Sequence, residues 1–159
     1  EICGRDSYEV IKIFPPKYNH LFSEMGNLNE VLAWAHAQSL EVLLRKNPKC
    51  DIAISDQFAG KDLLISKLKE MGKRIELIQR PKAEENIAVA SASILARAGF
   101  IEILEFMERQ FNHKFHKGAG NEVVEDALEF IKKGKNLSLV AKIHFQTTKK
   151  VKELLRAKN

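Results

Sequence analysis

The 159-residue sequence has little cysteine, little proline and no recognisable export signal. Cys3 and Cys50 lack the CxxC spacing of redox or metal motifs, which favours a reducing, cytoplasmic location. The amino end, EICGRDSYEV, is too polar for a signal peptide. We see no apolar run approaching the roughly 18 residues that a membrane span needs, so we expect no membrane partner. With no internal repeat or low-complexity linker, we predict one domain over residues 1–159.

Charge is distributed unevenly along the chain. Hydrophobic residues at 45% and charged residues at 30% are typical of a folded globular protein. The net charge is +5, but residues 109–159 carry 12 Lys or Arg against 5 Asp or Glu, a local balance of +7. A basic final third indicates a polyanionic partner such as nucleic acid, and a solvated lysine-rich surface explains it equally well.

Hydrophobic periodicity predicts strands that alternate with helices. The strands are predicted at Tyr8–Phe14, Cys50–Asp56 and Arg74–Gln79. The helices are predicted at Asn27–Lys46, Lys61–Gly72, about Ala83–Asn112, Asn121–Lys133 and Lys149–Ala157. This alternation predicts an α/β fold whose later strands run parallel, with ligands at their carboxyl ends.

Acidic residues lie at two of these strand ends. Asp56 ends an apolar strand, and Glu84 and Glu85 follow the next one. A turn or cap residue explains Asp56 without a function, and charges in the first turn of a helix explain the two glutamates. Carboxylates from neighbouring strands at one sheet edge are, however, ligands that Mg²⁺ prefers. Paired ions of this kind promote phosphodiester cleavage.

Five sequence blocks resemble the carboxyl-terminal part of bacterial ribonuclease HIII, in the type 2 ribonuclease H family. In order, they read PPKYNHLFSEMGNLNEVLAWAHA, AISDQF, QRPKAEENIAVASASILAR, HKGAGNEVV and AKIHFQTTKKV. The resemblance implies a ribonuclease H-like fold, a mixed sheet flanked by helices. It also implies a metal-dependent endonuclease that cleaves the RNA strand of RNA/DNA hybrids.

The family site holds Mg²⁺ or Mn²⁺ with four carboxylates. The resemblance assigns Asp56 and Glu84 as two of them, with catalytic and metal-binding roles, and a one-residue ambiguity leaves Glu85 as an alternative to Glu84. The other two belong to an Asp-Glu-x-Gly motif that this sequence does not contain. We therefore expect a fold incomplete at its amino-terminal strands and a chain that is inactive alone. A second chain or a dimer is expected to cover the missing strands.

Further residues are candidates for substrate binding. Asn27 and Asn29 either cap a helix or contact the hybrid, as the family implies. Lys117 and Gly118 form either a phosphate-binding loop or a plain turn. The last helix opens with candidates for which capping and phosphate binding are equally consistent: His144, Thr147, Thr148, Lys149 and Lys150. His113 and His116 lack the partners of a zinc site.

Two functions of different classes follow. The first is hydrolysis of the RNA strand of a hybrid, recognised by duplex shape and the 2′-hydroxyl. The alternative is a non-catalytic module for nucleic-acid binding or assembly. A metal-binding remnant of the fold, with no nucleic-acid role, is a third and weaker interpretation.

Overall fold

The structure, a computed structural model, describes residues 7–157. Six helices occur within that range: α1 (Pro15–Met25), α2 (Leu28–Lys46), α3 (Lys61–Lys67), α4 (Ile87–Phe111), α5 (Asn121–Lys132) and α6 (Gln146–Arg156). Two strands, β1 (Ile52–Asp56) and β2 (Glu76–Arg80), pair in parallel. Ile52 pairs with Glu76 at one end of the ladder and Asp56 with Arg80 at the other. The predicted α/β alternation and parallel pairing are confirmed.

The described residues fall into two compact units. The first comprises residues 7–12 and Met25–Phe100, and the second comprises Ile13–Glu24 and 101–157. The core of the first unit consists of apolar side chains from α2, α3 and the two strands: Ala37, Ala53, Leu64, Leu68 and Leu77. The core of the second unit includes Tyr18, Leu21, Met107, Val124, Phe130 and Val151. One domain over the whole chain stays a prediction.

The buried carboxylate of Glu41 explains why α3 is shorter than predicted. The backbone N–H groups of Lys69, Met71 and Gly72 donate to Glu41 at 2.8, 3.2 and 2.8 Å. They are therefore not available to continue a helix from Lys61 to Gly72. The chain leaves α3 at Leu68, whose backbone is extended, and then enters β2.

The predicted strand Tyr8–Phe14 is wrong. These residues have alternating apolar side chains but pair with no strand in the part of the chain that the structure describes. Alternating apolar and polar side chains are compatible with a strand, but a strand forms only where a second strand is available for backbone hydrogen bonds. Here Val10 lies instead against Gly99 of α4, where an added Cβ would approach Val10 Cγ1 to 3.0 Å.

The sequence interpretation missed α1. Pro15 and Pro16 open this helix rather than simply ending a strand, because proline is compatible with a first helical turn. Tyr18 and Leu21, three residues apart, bury one face of α1. Gly26, with φ at +69°, follows its end.

Helix α4 carries a long apolar surface that is mostly exposed. Ile87 is 83% exposed and Ile94 is 71% exposed. By length and composition alone, α4 could cross a membrane, so the prediction that no apolar run reaches that length is wrong. Arg97 and Glu102 are charged residues within this apolar stretch, but they do not make the helix too polar to cross a membrane.

Candidate functional site

Asp56 is exposed at the carboxyl edge of the two-stranded sheet. The backbone N–H of Ala83 donates to Asp56 Oδ1 at 3.3 Å. Gln79 Nε2 donates to the backbone carbonyl of Asp56 at 3.4 Å. These contacts hold the chain that follows β2 against the end of β1.

A left-handed residue turns the chain towards Asp56. Lys82 has φ 53° and ψ 38°, a conformation that costs a non-glycine residue roughly 1 kcal/mol. It places Ala83, which is fully buried, within hydrogen-bond reach of Asp56. Glu84 is the next residue and is exposed. Glu84 therefore lies one residue beyond the contact between Ala83 and Asp56.

Glu84 and Glu85 are not first-turn charges of α4. Both lie in a separate 3₁₀ turn, Ala83–Glu85, and the first turn of α4 contains no acidic residue. Asn86 Oδ1 accepts the backbone N–H of Ala88 at 2.9 Å, so it is an amide that caps α4. The helix-dipole interpretation of the two glutamates is therefore wrong, which removes the simplest structural explanation for them.

Two carboxylates at this edge fit a hard divalent cation. A carboxylate has about four lone-pair sites, so the single N–H bond to Asp56 leaves capacity for a metal ion. Oxygen donors suit Mg²⁺ and Mn²⁺, which complete their shells with water. Within residues 7–157, no group of three or more His, Cys, Asp or Glu side chains is placed to hold a metal.

Glu108 and Asp126 hold the loop between α4 and α5. Glu108 Oε1 accepts the backbone N–H of Phe115 at 2.9 Å. Asp126 Oδ2 accepts the backbone N–H of His116 at 2.6 Å and lies 2.9 Å from its Nδ1. Lys117 follows in the exposed part of the loop, and Gly118 supplies its positive φ of 97°. The loop is therefore fixed at its entry and presents Lys117 to solvent.

A cleft of about 470 Å³ lies between this loop and the start of α6. Its lining residues are Ala119, Val124, Gln146, Thr147, Lys149, Lys150 and Glu153. Two motifs predicted separately, around Lys117–Gly118 and Thr147–Lys149, thus border one cleft. Lys150, a candidate from the same motif, also lines it and donates to Asn121 Oδ1 at 3.0 Å. The sequence interpretation missed Gln146, whose only signal is its position beside Thr147.

Neither threonine caps α6. Phe145 occupies the N-cap position, and its carbonyl accepts the backbone N–H of Thr148 at 3.0 Å. Thr148 is buried, whereas Thr147 lines the cleft. The capping alternative for Thr147 and Thr148 is therefore wrong.

The capping alternative for Asn27, at the start of α2, is confirmed, because Asn27 Oδ1 accepts the backbone N–H of Asn29 at 2.8 Å.

His144 lies in a stack of rings rather than free at the surface. Its ring centroid is 3.8 Å from that of Phe22 and 4.1 Å from that of Phe145. Burial, and then the positive charge of Lys142, lowers the pKa of the His144 imidazole below its ordinary value. A neutral ring is expected near pH 7, which argues against His144 as a cationic phosphate ligand.

The fold and the sheet edge define an α/β protein with acidic residues at the carboxyl ends of two parallel strands. The sequence pattern of the family described as Ribonuclease HII matches residues 7–148, so the chain belongs to that family. The resemblance drawn from the sequence blocks is thereby confirmed.

Individual relatives agree with this assignment. Ribonuclease HIII of Chlamydia felis is 42% identical over 144 residues, covering 89% of this chain and 48% of the relative. The Chlamydia pneumoniae protein of that name is 42% identical over 142 residues, covering 87% and 48%. The chain spans about half the length of the curated relatives it matches.

Solved structures confirm the ribonuclease H-like fold. The structure of Bst-RNase HIII in complex with Mn²⁺ matches with a TM-score of 0.79 at 28% identity, covering 91% of this chain and 49% of that one. RNase H3 of Aquifex aeolicus matches with a TM-score of 0.64 at 29% identity, covering 86% and 48%.

Proposed function

We propose that this chain is part of a ribonuclease HIII that cleaves the RNA strand of RNA/DNA hybrids by metal-dependent hydrolysis. The observation that carries the proposal is the contact between Asp56 and the backbone of Ala83, the residue before Glu84, in a chain of this family. The exposed free thiol of Cys50 is consistent with a reducing, cytoplasmic location.

Asp56 and Glu84 would hold Mg²⁺ or Mn²⁺ by their carboxylate oxygens. The Mn²⁺ complex of the Bst relative supports this choice of ion. When bound, such ions stabilise negative charge on a reacting phosphodiester and favour attack by water. The protein's contribution is to fix both carboxylates: the Ala83 N–H orients Asp56, and the left-handed Lys82 sets the path to Glu84.

The unpaired edge of β1 supports completion of the site by another polypeptide. Among the described residues, β1 pairs only with β2. A groove of about 460 Å³ lies beside β1, lined mainly by Leu40, Leu43 and Leu44 of α2 and by Ile52 and Ile54 of the strand. An added strand would pair with β1 and cover these side chains. We propose that such a strand, from a second chain or a second copy, supplies further carboxylates and that this chain alone is inactive.

The basic cleft of the second unit is proposed as the surface that binds the nucleic-acid backbone. Thr147, Lys149 and Lys150 supply donors for phosphate oxygens, and Lys117 and Gly118 lie in the bordering loop. Contacts of Asn27, Asn29, Thr148 or His144 with the hybrid remain predictions.

Complementation tests the catalytic proposal. The chain is mixed with the amino-terminal half of a ribonuclease HIII relative, and cleavage of a labelled RNA/DNA hybrid is followed with Mg²⁺ or Mn²⁺. Activity is expected only when both pieces and the metal are present. Activity that survives Asp56→Asn would contradict the role of Asp56, whereas Glu85→Gln serves as the matched control.

A non-catalytic binding module is the second candidate. It is favoured by one observation: the cleft is formed within one unit, whereas residues 7–157 contain no group of three or more potential metal ligands. This candidate predicts salt-dependent hybrid binding with no cleavage in any combination of pieces. Hybrid affinity that does not change with salt would contradict phosphate contacts in either case.

A further inference from the structure

Two aromatic rings meet beside the chain that leaves β1. His36 lies on α2, and Phe58 follows Asp56 by two residues in the loop between β1 and α3. The centroids of the two rings are 4.8 Å apart, and the ring planes are inclined at 36°. This contact joins α2 to the loop that begins at a proposed metal ligand.

The core of the first unit holds both rings in place. Ala37, the residue after His36, is fully buried in that core, and Phe58 packs against the same core. The loop after Phe58 ends where α3 begins, and Leu64 of α3 is also fully buried there. The contact between His36 and Phe58 is therefore part of a packed structure rather than a chance meeting of two surface side chains.

The polar contacts around Asp56 come from the end of β2. The backbone N–H of Gln57 donates to the carbonyl of Arg80 at 3.2 Å, and that of Ala83 donates to Asp56 Oδ1 at 3.3 Å. The path of the chain after Gln57 depends instead on Phe58, whose ring contacts both the core and His36. A change in that path would move the Asp56 carboxylate relative to the Ala83 N–H.

The chemistry of His36 suits ring packing rather than ion pairing. Its ring nitrogens make no hydrogen bond with another residue in the described range 7–157. Desolvation lowers the pKa of the His36 imidazole below its ordinary value, although part of the side chain stays exposed. A neutral ring is therefore expected near pH 7, and it places no positive charge near a site proposed for a divalent cation.

We propose that His36 is a positioning residue of the metal site, which holds Phe58 and, through Phe58, the loop that fixes the Asp56 carboxylate. The inference rests on the proposed function, because it adds a residue to that same site. Residues that orient metal ligands without touching the metal typically lower metal affinity about tenfold or more when they are replaced.

The Mn²⁺ affinity of the whole chain, measured by calorimetry or paramagnetic broadening, tests the proposal. His36→Ala is expected to weaken Mn²⁺ binding about tenfold. His36→Phe keeps an aromatic ring against Phe58 and is expected to bind Mn²⁺ as the wild type does. Equal losses in the two variants would make His36 a metal ligand and overturn the inference. His20→Ala, which removes an exposed histidine of the second unit, is the matched control and is expected to keep the wild-type affinity.

A double-mutant cycle tests whether His36 acts through Phe58. Phe58→Leu keeps an apolar side chain against the core and removes the ring. The double variant with His36→Ala is expected to lose no more Mn²⁺ affinity than the more affected single variant, because residues that act together have non-additive effects. Additive losses would overturn the inference.

Urea unfolding of the same variants separates positioning from stability. A purely structural role would lower the free energy of unfolding and leave the Mn²⁺ affinity of folded His36→Ala unchanged, which would overturn the inference but not the proposed function. Absence of Mn²⁺ binding by the wild type, both alone and mixed with the amino-terminal half of a relative, would instead overturn the metal site and the proposed function with it.

Discussion

The backbone N–H of Gly72 donates to the Glu41 carboxylate at 2.8 Å, inside the first unit. Glu41 is only 2% exposed, and a Cβ on residue 72 would lie 2.8 Å from its Oε1. The glycine is therefore required for close approach to the carboxylate. This contact links the middle of α2 to the chain that leads into β2, the strand that precedes Glu84.

Replacing Glu41 by Gln is expected to destabilise the chain by about 1–3 kcal/mol, since an amide accepts these N–H groups less strongly than a carboxylate. Burial raises the pKa of Glu41, but the N–H groups of Gly72, Lys69 and Met71, with Arg45, outweigh it and leave the pKa below its ordinary value. The stabilisation is thus present above the unfolded pKa and lost as pH falls through the lower folded pKa. Urea unfolding of the wild type and of Glu41→Gln, at neutral and acidic pH, measures the difference in their free energies of unfolding. A stability difference that does not shrink in acid would contradict it.

Metal binding should depend on Asp56 and Glu84 but not on Glu85. Asp56→Asn or Glu84→Gln is expected to weaken Mn²⁺ binding by the isolated chain about tenfold, because each removes one of the few anionic oxygen ligands at the sheet edge. Paramagnetic broadening or calorimetry provides the measurement. Glu85→Gln is the matched control. Loss of binding in that variant instead of in Glu84→Gln would reassign the metal-binding role of Glu84 to Glu85.

The sequence predicts well the elements whose side-chain pattern and backbone partners are both local. Helix α2 begins and ends where its asparagine cap and Pro48 indicate, and α5 matches to within one residue. Both strands that form the parallel pair were found, with small shifts at their ends. The strand predicted at Tyr8–Phe14 does not form, because its alternating pattern is local but the neighbouring strand that it would need for hydrogen bonds is not.

The candidate site was predictable in its residue types but not in its geometry. Asp56 ends an apolar strand and Glu84 follows another, but the resemblance to the family was needed to assign them as metal ligands. The left-handed conformation of Lys82 has no sequence signal, since lysine rarely adopts it and neither Gly nor Asn stands there. The sequence therefore predicts a helix from about Ala83, whereas α4 begins at Ile87 after a separate 3₁₀ turn. The cleft brings together two distant segments, so Gln146 could be assigned only once the fold was known.

Protonation of His144 should contribute to loss of stability in acid. Burial and Lys142 lower its folded pKa, so the unfolded chain binds a proton first as pH falls below the ordinary histidine value of about 6.5. His144→Phe keeps an aromatic ring in the stack and removes this pH-dependent loss of stability. The free energy of unfolding of His144→Phe, relative to that of the wild type, is therefore expected to rise as the pH falls from neutral to about 5. Chemical unfolding at both pH values tests this, with Phe22→Leu as a control that alters the stack without a titratable group. A parallel decline of wild type and His144→Phe would contradict it.

The exposed apolar surface of α4 is expected to promote association of the chain in the absence of another partner. Ile94 is 71% exposed on the second turn of this helix, and contiguous apolar surface of this kind is usually covered in solution. Ile94→Asp is expected to shift the chain towards monomer, as measured by light scattering over a range of concentrations. Ser93→Asp adds the same charge at the neighbouring exposed position and is expected to leave association unchanged. A wild-type chain that is monomeric at every concentration would show that copies of this chain do not cover α4, and would leave a different polypeptide as the proposed partner.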